Sequence, residues 1–425
     1  MNKYIEWRRE FHHFPELGWR EIRTSARVAE ILEEMGYTCL MGTAVINEES
    51  LDFEMLSDEQ KALEKERAIA QGANPEYVKR TEGYPGVIAE LDTGKEGPIT
   101  AFRFDIDCLP YEEPKKPGYR PFDEGYVSCN PGNVHACGHD AHTAIGLGLA
   151  EKLMEKKDQL KGKMRIIFQP AEESYNGAHS IVDKGHLDDA DNFISVHVAL
   201  TAEGYPLPSN TICCGTKDFL SDDQLDVTFH GRAAHPCGAA QEGKNALLAA
   251  CTAMLNLHTI APHEAGLCRV NVGKLEGGVA VNTIAPTAYM EIEYRGQTQE
   301  IAQYARKRVF DILDGAAKAH DMEYTYVDLG EIPAGKSDDA MMEVIQRAAE
   351  QVPWFKKIYF EGNVGGTDDA TVMINKVQEH GGLATYIGLG TDTTQPVHNE
   401  EFDIDEEVIP QSVDMLVLAV EELHR

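Results

Sequence analysis

Apolar residues along the chain repeat with two different periods. Between Tyr4 and Met35, Ile5, Phe11, Ile22, Val28, Ile31 and Leu32 recur at helical spacing, and the run breaks at Phe14-Pro15-Glu16-Leu17-Gly18. That pattern predicts two helices joined by a turn, with His12 and His13 before it as exposed or capping imidazoles. Residues 48–80 are polar and charge-rich and read as a solvated helical insert without chemistry of its own. Strands are expected at 86–91, 99–104, 163–170 and 192–198, and an amphipathic helix at 141–156 with Ile145, Leu149 and Leu153 on one face.

From Leu225 the alternation becomes that of an antiparallel sheet. Strand 225–231, helix 245–257, strands 268–276 and 287–296, helix 298–320 and a closing strand at 322–328 give a β-α-β-β-α-β order, a compact inserted domain. Helix and strand then alternate again, with helices at 338–351 and 405–423 and a strand at 384–389. The expected organisation is an α/β catalytic domain in two parts, 1–216 and 331–425, interrupted by a smaller α+β domain at 217–330.

Composition narrows the function classes. Lys and Arg total 39 against 71 Asp and Glu, a formal charge of −32, which disfavours nucleic acid and anionic membrane surfaces as partners. An anionic substrate would need a local positive site. Nine cysteines, an odd number scattered through a long chain without a secretory pattern or a membrane-spanning run, lead to the expectation of reduced thiols and a cytoplasmic protein.

The chemistry concentrates at strand ends. His135-Ala136-Cys137-Gly138-His139-Asp140-Ala141-His142 crowds a thiol and three imidazoles into one turn. Asp105 and Asp107 follow the strand at 99–104, and Asp107 is placed to accept the second N–H of a ligand histidine. Glu172 and Glu173 follow the strand at 163–170, His197 lies near the end of another, and His398 follows a flexible run. Cys137, His139, Glu173, His197 and His398 are too many donors for one open tetrahedral ion, and two ions roughly 3.5 to 4 Å apart fit better. Mixed N, O and S donors suit Zn or Mn. A cysteine nucleophile formed by Cys137 and His139 would leave the Glu pair and the distant histidines without purpose.

Arg103 to Pro110, His135 to His142, Gln169-Pro170-Ala171-Glu172-Glu173 and His398-Asn399-Glu400 resemble, in order, the signature blocks of the dinuclear amidohydrolases that include hippurate hydrolase, auxin-conjugate hydrolases and bacterial aminoacylases. The resemblance implies a zinc-exopeptidase-type mixed sheet flanked by helices, with an inserted ferredoxin-like lid that carries a dimer interface. It implies that Cys137, His139, Glu173, His197 and His398 hold two divalent ions, Mn or Zn. It further implies Glu172 as general base, Asp107 in the catalytic set, His235 as a lid residue polarising the scissile carbonyl, and Asn282 and Arg295 as substrate-binding residues. The implied substrates are N-acyl amino acids, p-aminobenzoyl-glutamate foremost, and the implied assembly is a homodimer or a heteromer with a related partner chain. Gly366-Thr367-Asp368-Asp369, where Gly-Ser-Glu-Asp is more usual, and Ser174, where Gly commonly follows the glutamates, depart from the pattern.

Overall fold

A computed structural model describes residues 2–51, 56–174 and 177–425. The chain divides into two compact units, Met1–Lys217 with Lys336–Arg425, and Asp218–Gly335. In chain order the first unit opens with α1 (Lys3–His13), α2 (Ile22–Glu34), β1 (Cys39–Met41), α3 (Asp58–Ala70) and α4 (Pro75–Arg80). It continues through β2 (Val87–Asp92), β3 (Ile99–Asp105), α5 (Arg120–Asp123), α6 (His139–Lys156), β4 (Lys163–Gln169), α7 (Gly177–Asp183) and β5 (Asn192–Val198). A small hairpin, β6 (Thr201–Ala202) with β7 (Tyr205–Pro206), leads to β8 (Thr211–Cys213).

The second unit is β9 (Asp222–His230), α8 (Ala246–Leu257), β10 (Cys268–Gly277), β11 (Thr287–Gly296), α9 (Gln299–Ala319) and β12 (Glu323–Ile332). The first unit resumes with α10 (Asp339–Ala349), β13 (Lys357–Tyr359), α11 (Ala370–Glu379), β14 (Leu383–Leu389) and α12 (Val408–His424). The inserted unit ends at Gly335 rather than at residue 330, because β12 continues to Ile332.

The large sheet has eight strands in the order β1-β2-β4-β3-β5-β14-β8-β13. Its four central strands, β4, β3, β5 and β14, run parallel. They are buried almost end to end, which is why they read as continuous apolar runs rather than as alternations. Their carboxyl ends lie together, with Asp105 opposite Gln169 and Gly388 opposite His197. The crevice outside the carboxyl ends of parallel strands is where sites of α/β proteins form.

Two elements differ from the sequence expectation. Helix α6 is buried on all sides from His139 to Ala150 instead of showing a solvated face, since the sheet covers one side and α1 and α12 the other. The charged insert is not wholly solvated either: Arg67 of α3 reaches the buried Glu16 at 2.6 Å, Glu64 pairs with Arg20 at 2.8 Å, and Ala68 is buried. Residues 52–55 of that insert lie outside the described residues.

In the second unit the order β10-β11-β9-β12 is antiparallel throughout. Leu225, Val227 and Phe229 of β9 and Ala288, Met290, Ile292 and Tyr294 of β11 alternate inward against α8 and α9, a ferredoxin-like arrangement. Asn245 and Thr298 cap the two helices by accepting N–H groups of their first turns. Among the described residues no helix is long and apolar enough to cross a membrane, and all nine cysteines are free thiols.

Candidate active site

The loop before α6 carries two of the donors into the crevice. Gly138, the residue before the helix, has φ +89°, and a Cβ there would lie 2.3 Å from Val198 Cγ2. Only glycine fits, so the main chain of this turn packs directly on the end of β5. Cys137 and His139 flank it, and the Cys137 sulfur lies 3.5 Å from His197 Nε2.

Hydrogen-bond partners settle which ring nitrogens face inward. His139 Nδ1–H donates to Asp107 Oδ1 at 3.0 Å, leaving Nε2 buried without a hydrogen-bond partner. Glu173 Oε1 is also unpartnered and stands 3.9 Å from that nitrogen. His197 Nδ1–H donates to the Val198 carbonyl at 2.6 Å, which turns Nε2 toward Cys137. Glu173 Oε2 lies 3.5 Å from Nε2 of His398. His398 takes a left-handed backbone, φ +64°, and its N–H donates to the Ala136 carbonyl at 2.7 Å, tying its loop to the residue before Cys137. Cys137, His139, Glu173, His197 and His398, from four separate stretches, therefore converge.

This donor set fits divalent cations. Two buried orphan atoms, His139 Nε2 and Glu173 Oε1, face one another, and Cys137, His139 and Glu173 present ligand atoms within 4.8 Å of one another. Asp105, Asp107, Glu172, Glu173, Asp368 and Asp369 crowd around them, with Arg103 as the guanidinium among them. Burial and then the Glu173 and Glu172 charges push the Cys137 thiol well above its ordinary range. A thiol so placed is no free nucleophile, and a bound cation is what would make it a thiolate.

Glu172 stands 3.8 Å from His139 Nε2. Burial, followed by Asp368, Glu173 and Asp369, pushes its carboxyl well above the usual range, with Arg103 opposing. A carboxylate made more basic in this way suits proton transfer. Asp107 uses both oxygens for positioning, one on His139 and the other, at 2.9 Å, on the Glu173 N–H. It belongs to the site as the residue that fixes a ring and a turn.

Beneath the donors lies a layer that sequence reasoning missed. Arg103, fully buried, reaches Asp105 at 2.6 Å, Asp368 at 3.1 Å and Asp369 at 2.9 Å. Tyr386 donates to Asp368 Oδ2 at 2.5 Å and stacks on His197. Asp140, next to His139 in sequence, belongs to a different network: Arg8 at 2.8 Å and His12 at 2.7 Å. His12 is thus buried between Asp140 and Glu113, not exposed; His13 is half-buried and donates to the Val127 carbonyl at 2.6 Å. Apart from Asp105, two residues from Arg103 on β3, each of these partners is far away in sequence, so local spacing carried no sign of them.

The remaining candidates lie in the inserted unit. His235 is exposed, and its Nδ1 accepts N–H groups of Cys237 at 3.2 Å and Gly238 at 3.1 Å, so Nε2 carries the hydrogen. Asn282 is exposed on the neighbouring loop, which is joined to that of His235 by the Ile284 N–H on the Ala234 carbonyl at 3.0 Å. Arg295 on β11 is engaged with Asp222 at 2.9 Å and Glu293 at 2.7 Å.

Comparison with known proteins agrees with this chemistry. Residues 101–422 match the model of "Peptidase family M20/M25/M40". The chain is 39% identical to an indole-3-acetyl-aspartic acid hydrolase of Enterobacter agglomerans, over 98% of this chain and 97% of the relative. It is 40% identical to one of the subunits of the p-aminobenzoyl-glutamate hydrolase of Escherichia coli, over 97% of this chain and 94% of the relative. The crystal structure of an aminobenzoyl-glutamate utilization protein from Klebsiella pneumoniae superposes with a TM-score of 0.78 at 35% identity, covering 99% of this chain and 95% of that one.

Proposed function

Because the chain belongs to peptidase family M20/M25/M40, we propose that it is a metal-dependent amidohydrolase cleaving N-acyl amino acids, foremost p-aminobenzoyl-glutamate to p-aminobenzoate and glutamate. The observation that carries this reading is the convergence of five N, O and S donors beside the buried carboxyl of Glu172.

Cys137, His139, Glu173, His197 and His398 would hold the two ions, Mn or Zn. Bound there, the ions supply a Lewis acid for the scissile carbonyl and lower the pKa of water. Glu172 takes a proton from the attacking water as its oxygen adds to the amide carbon, and later gives that proton to the leaving nitrogen as the C–N bond breaks. His235, with its Nδ1 satisfied by two backbone N–H groups, offers Nε2–H to the developing oxyanion. Asp107 keeps His139 in the tautomer that presents Nε2. Arg295 and Asn282 are the candidate anchors for the substrate carboxylate; a guanidinium suits that task by its paired N–H groups.

The two named hydrolases above share a feature: an aromatic acyl group on an acidic amino acid. That favours the same substrate class here. Kinetics of the metal-loaded protein on p-aminobenzoyl-glutamate, indole-3-acetyl-aspartate, benzoyl-glycine and acetyl amino acids tests it. The highest kcat/KM is expected with an aromatic acyl group on Glu or Asp, and a preference for acetyl amino acids would overturn the substrate assignment. The Escherichia coli relative carries the name of only one component of its hydrolase, which favours a heteromeric alternative to a homodimer. A purified chain that turns over alone as a dimer excludes that alternative.

A further inference from the structure

The turn between α1 and α2 has no part in the mechanism above, yet it touches both sides of the Glu172–Glu173 pair. Glu21 is fully buried, and its Oε1 accepts the N–H of Ala171 at 2.7 Å. Ala171 directly precedes Glu172 and takes a left-handed backbone, φ +55°, which is uncommon for a residue with a Cβ. On the other side, Asp107 accepts the N–H of Glu173. Glu172 is therefore bracketed by two main-chain N–H groups, each held by a buried carboxyl.

The same turn also holds the Asp107 end. The Glu16 carbonyl accepts the Cys108 N–H at 2.9 Å, and Leu17 pairs with Cys108 as an isolated bridge. Gly18 packs against the residues around the pair: a Cβ there would lie 2.7 Å from Ser174 Oγ and 3.2 Å from Ala171 Cα. Glu16 anchors the turn in place, accepting the N–H groups of Arg23 at 3.0 Å and Thr24 at 2.7 Å and the Arg67 guanidinium at 2.6 Å.

We propose that the Glu16–Glu21 turn is the positioning element of the Glu172–Glu173 pair, with Glu21 as its contact residue through the Ala171 N–H. The proposal rests on the reading of Glu172 as base and Glu173 as ligand. Burial, then the neighbouring Asp107 charge, raises the Glu21 carboxyl well above the usual range. Glutamate and glutamine are near isosteres, so Gln keeps the accepting oxygen where Ala removes it.

The experiment compares Glu21→Ala, Glu21→Gln, Gly18→Ala and Glu172→Gln in the full chain, reading Mn affinity by competition with a chelating dye and kcat and KM on p-aminobenzoyl-glutamate. Glu21→Ala is expected to lower kcat and Mn affinity each by about tenfold or more with KM within about twofold, the range seen when outer-layer partners of ligands are lost. Glu21→Gln restores most of both, and Gly18→Ala, which removes no hydrogen bond, reproduces the loss by displacing the turn. Parental kcat and Mn affinity in Glu21→Ala would overturn the proposal, as would a Gln variant no better than Ala. If Glu21→Ala does not fold, Gly18→Ala decides by the same two measurements. Glu172→Gln reports separately on the base: it should keep Mn affinity and lose turnover. Retained turnover there overturns the base reading and leaves Mn affinity in the Glu21 variants to decide the positioning of Glu173.

Discussion

The backbone N–H of Val198 donates to Nε2 of His142 at 3.0 Å, so a side chain in the first turn of α6 holds the end of the strand that carries His197. His142 in turn donates from Nδ1 to Asp105 at 2.5 Å. Replacing His142 by Ala leaves the Val198 N–H and the Asp105 oxygen buried without partners, at about 1 to 3 kcal/mol for each unsatisfied group. The expected result is a lower urea midpoint together with weaker Mn binding, because His197 loses its support. A variant with parental values of both would show that the strand end holds itself.

Arg103 is the ionic centre beneath the site. Truncation to Met strands three buried carboxylates, Asp105, Asp368 and Asp369, and removing one partner from a buried ion cluster costs about 3 to 5 kcal/mol. Chemical denaturation should show that loss. Arg103→Lys should recover only part of it, because an ammonium cannot fork to three carboxylates.

The His12 network gives the protein a dependence on alkaline pH. Burial and the adjacent Arg8 charge push the imidazole down, but Glu113 and Asp140 outweigh them and carry it up to about 9. Tyr126 packs edge-on against the ring, and His135 lies beside it. A folded pKa above the unfolded one means that this stabilisation is full below about pH 6.5 and is lost as pH rises through about 9. The difference amounts to roughly 3 kcal/mol by the usual conversion of pKa to energy. Urea midpoints should fall between pH 6.5 and 9.5 in the parent and stay flatter in His12→Gln. Parallel curves would assign the effect elsewhere.

Metal should stabilise as well as activate. Glu172, Glu173, Asp368 and Asp369 repel one another without a cation, and a ligand at a hundred times its Kd stabilises the folded state by about 2.7 kcal/mol. Chelation is expected to abolish hydrolysis and lower Tm, with Mn or Zn restoring both. Activity that survives exhaustive chelation would remove the metal from the reaction.

Arg295 offers a test of substrate anchoring. If it exchanges Asp222 and Glu293 for the substrate carboxylate, Arg295→Ala should raise KM at least about tenfold for acyl-glutamate with kcat little changed, the signature of lost uniform binding. An unchanged KM would leave Arg295 as an internal ion pair of the inserted unit's sheet.

Much of this site was legible because its residues follow strands. Asp105 closes β3, Glu172 and Glu173 come just after β4, and His197 lies on β5, so the recurrence of polar residues at strand ends, rather than any one of them, marked the set. The reach of Arg8 to Asp140, or of Glu21 to Ala171, has no such mark, since no spacing rule joins residues on different elements. Charge misled in the same way at Arg67 and Glu64, which read as solvated but face Glu16 and Arg20. Ile145, Leu149 and Leu153 at spacing four made α6 read as amphipathic, but its first turn is buried too: His139 and His142 sit on the buried Asp107 and Asp105, and Asp140 on Arg8 and His12.

Five donors spread from Cys137 to His398 also set a timetable. Strand β14 is central to the large sheet, and the whole inserted unit is translated before it. At about 5 to 20 residues per second, on the order of ten to fifty seconds separate the synthesis of Cys137 from that of His398. On the reading of these five residues as the ligands, the coordination set would close only when the last quarter of the chain arrives.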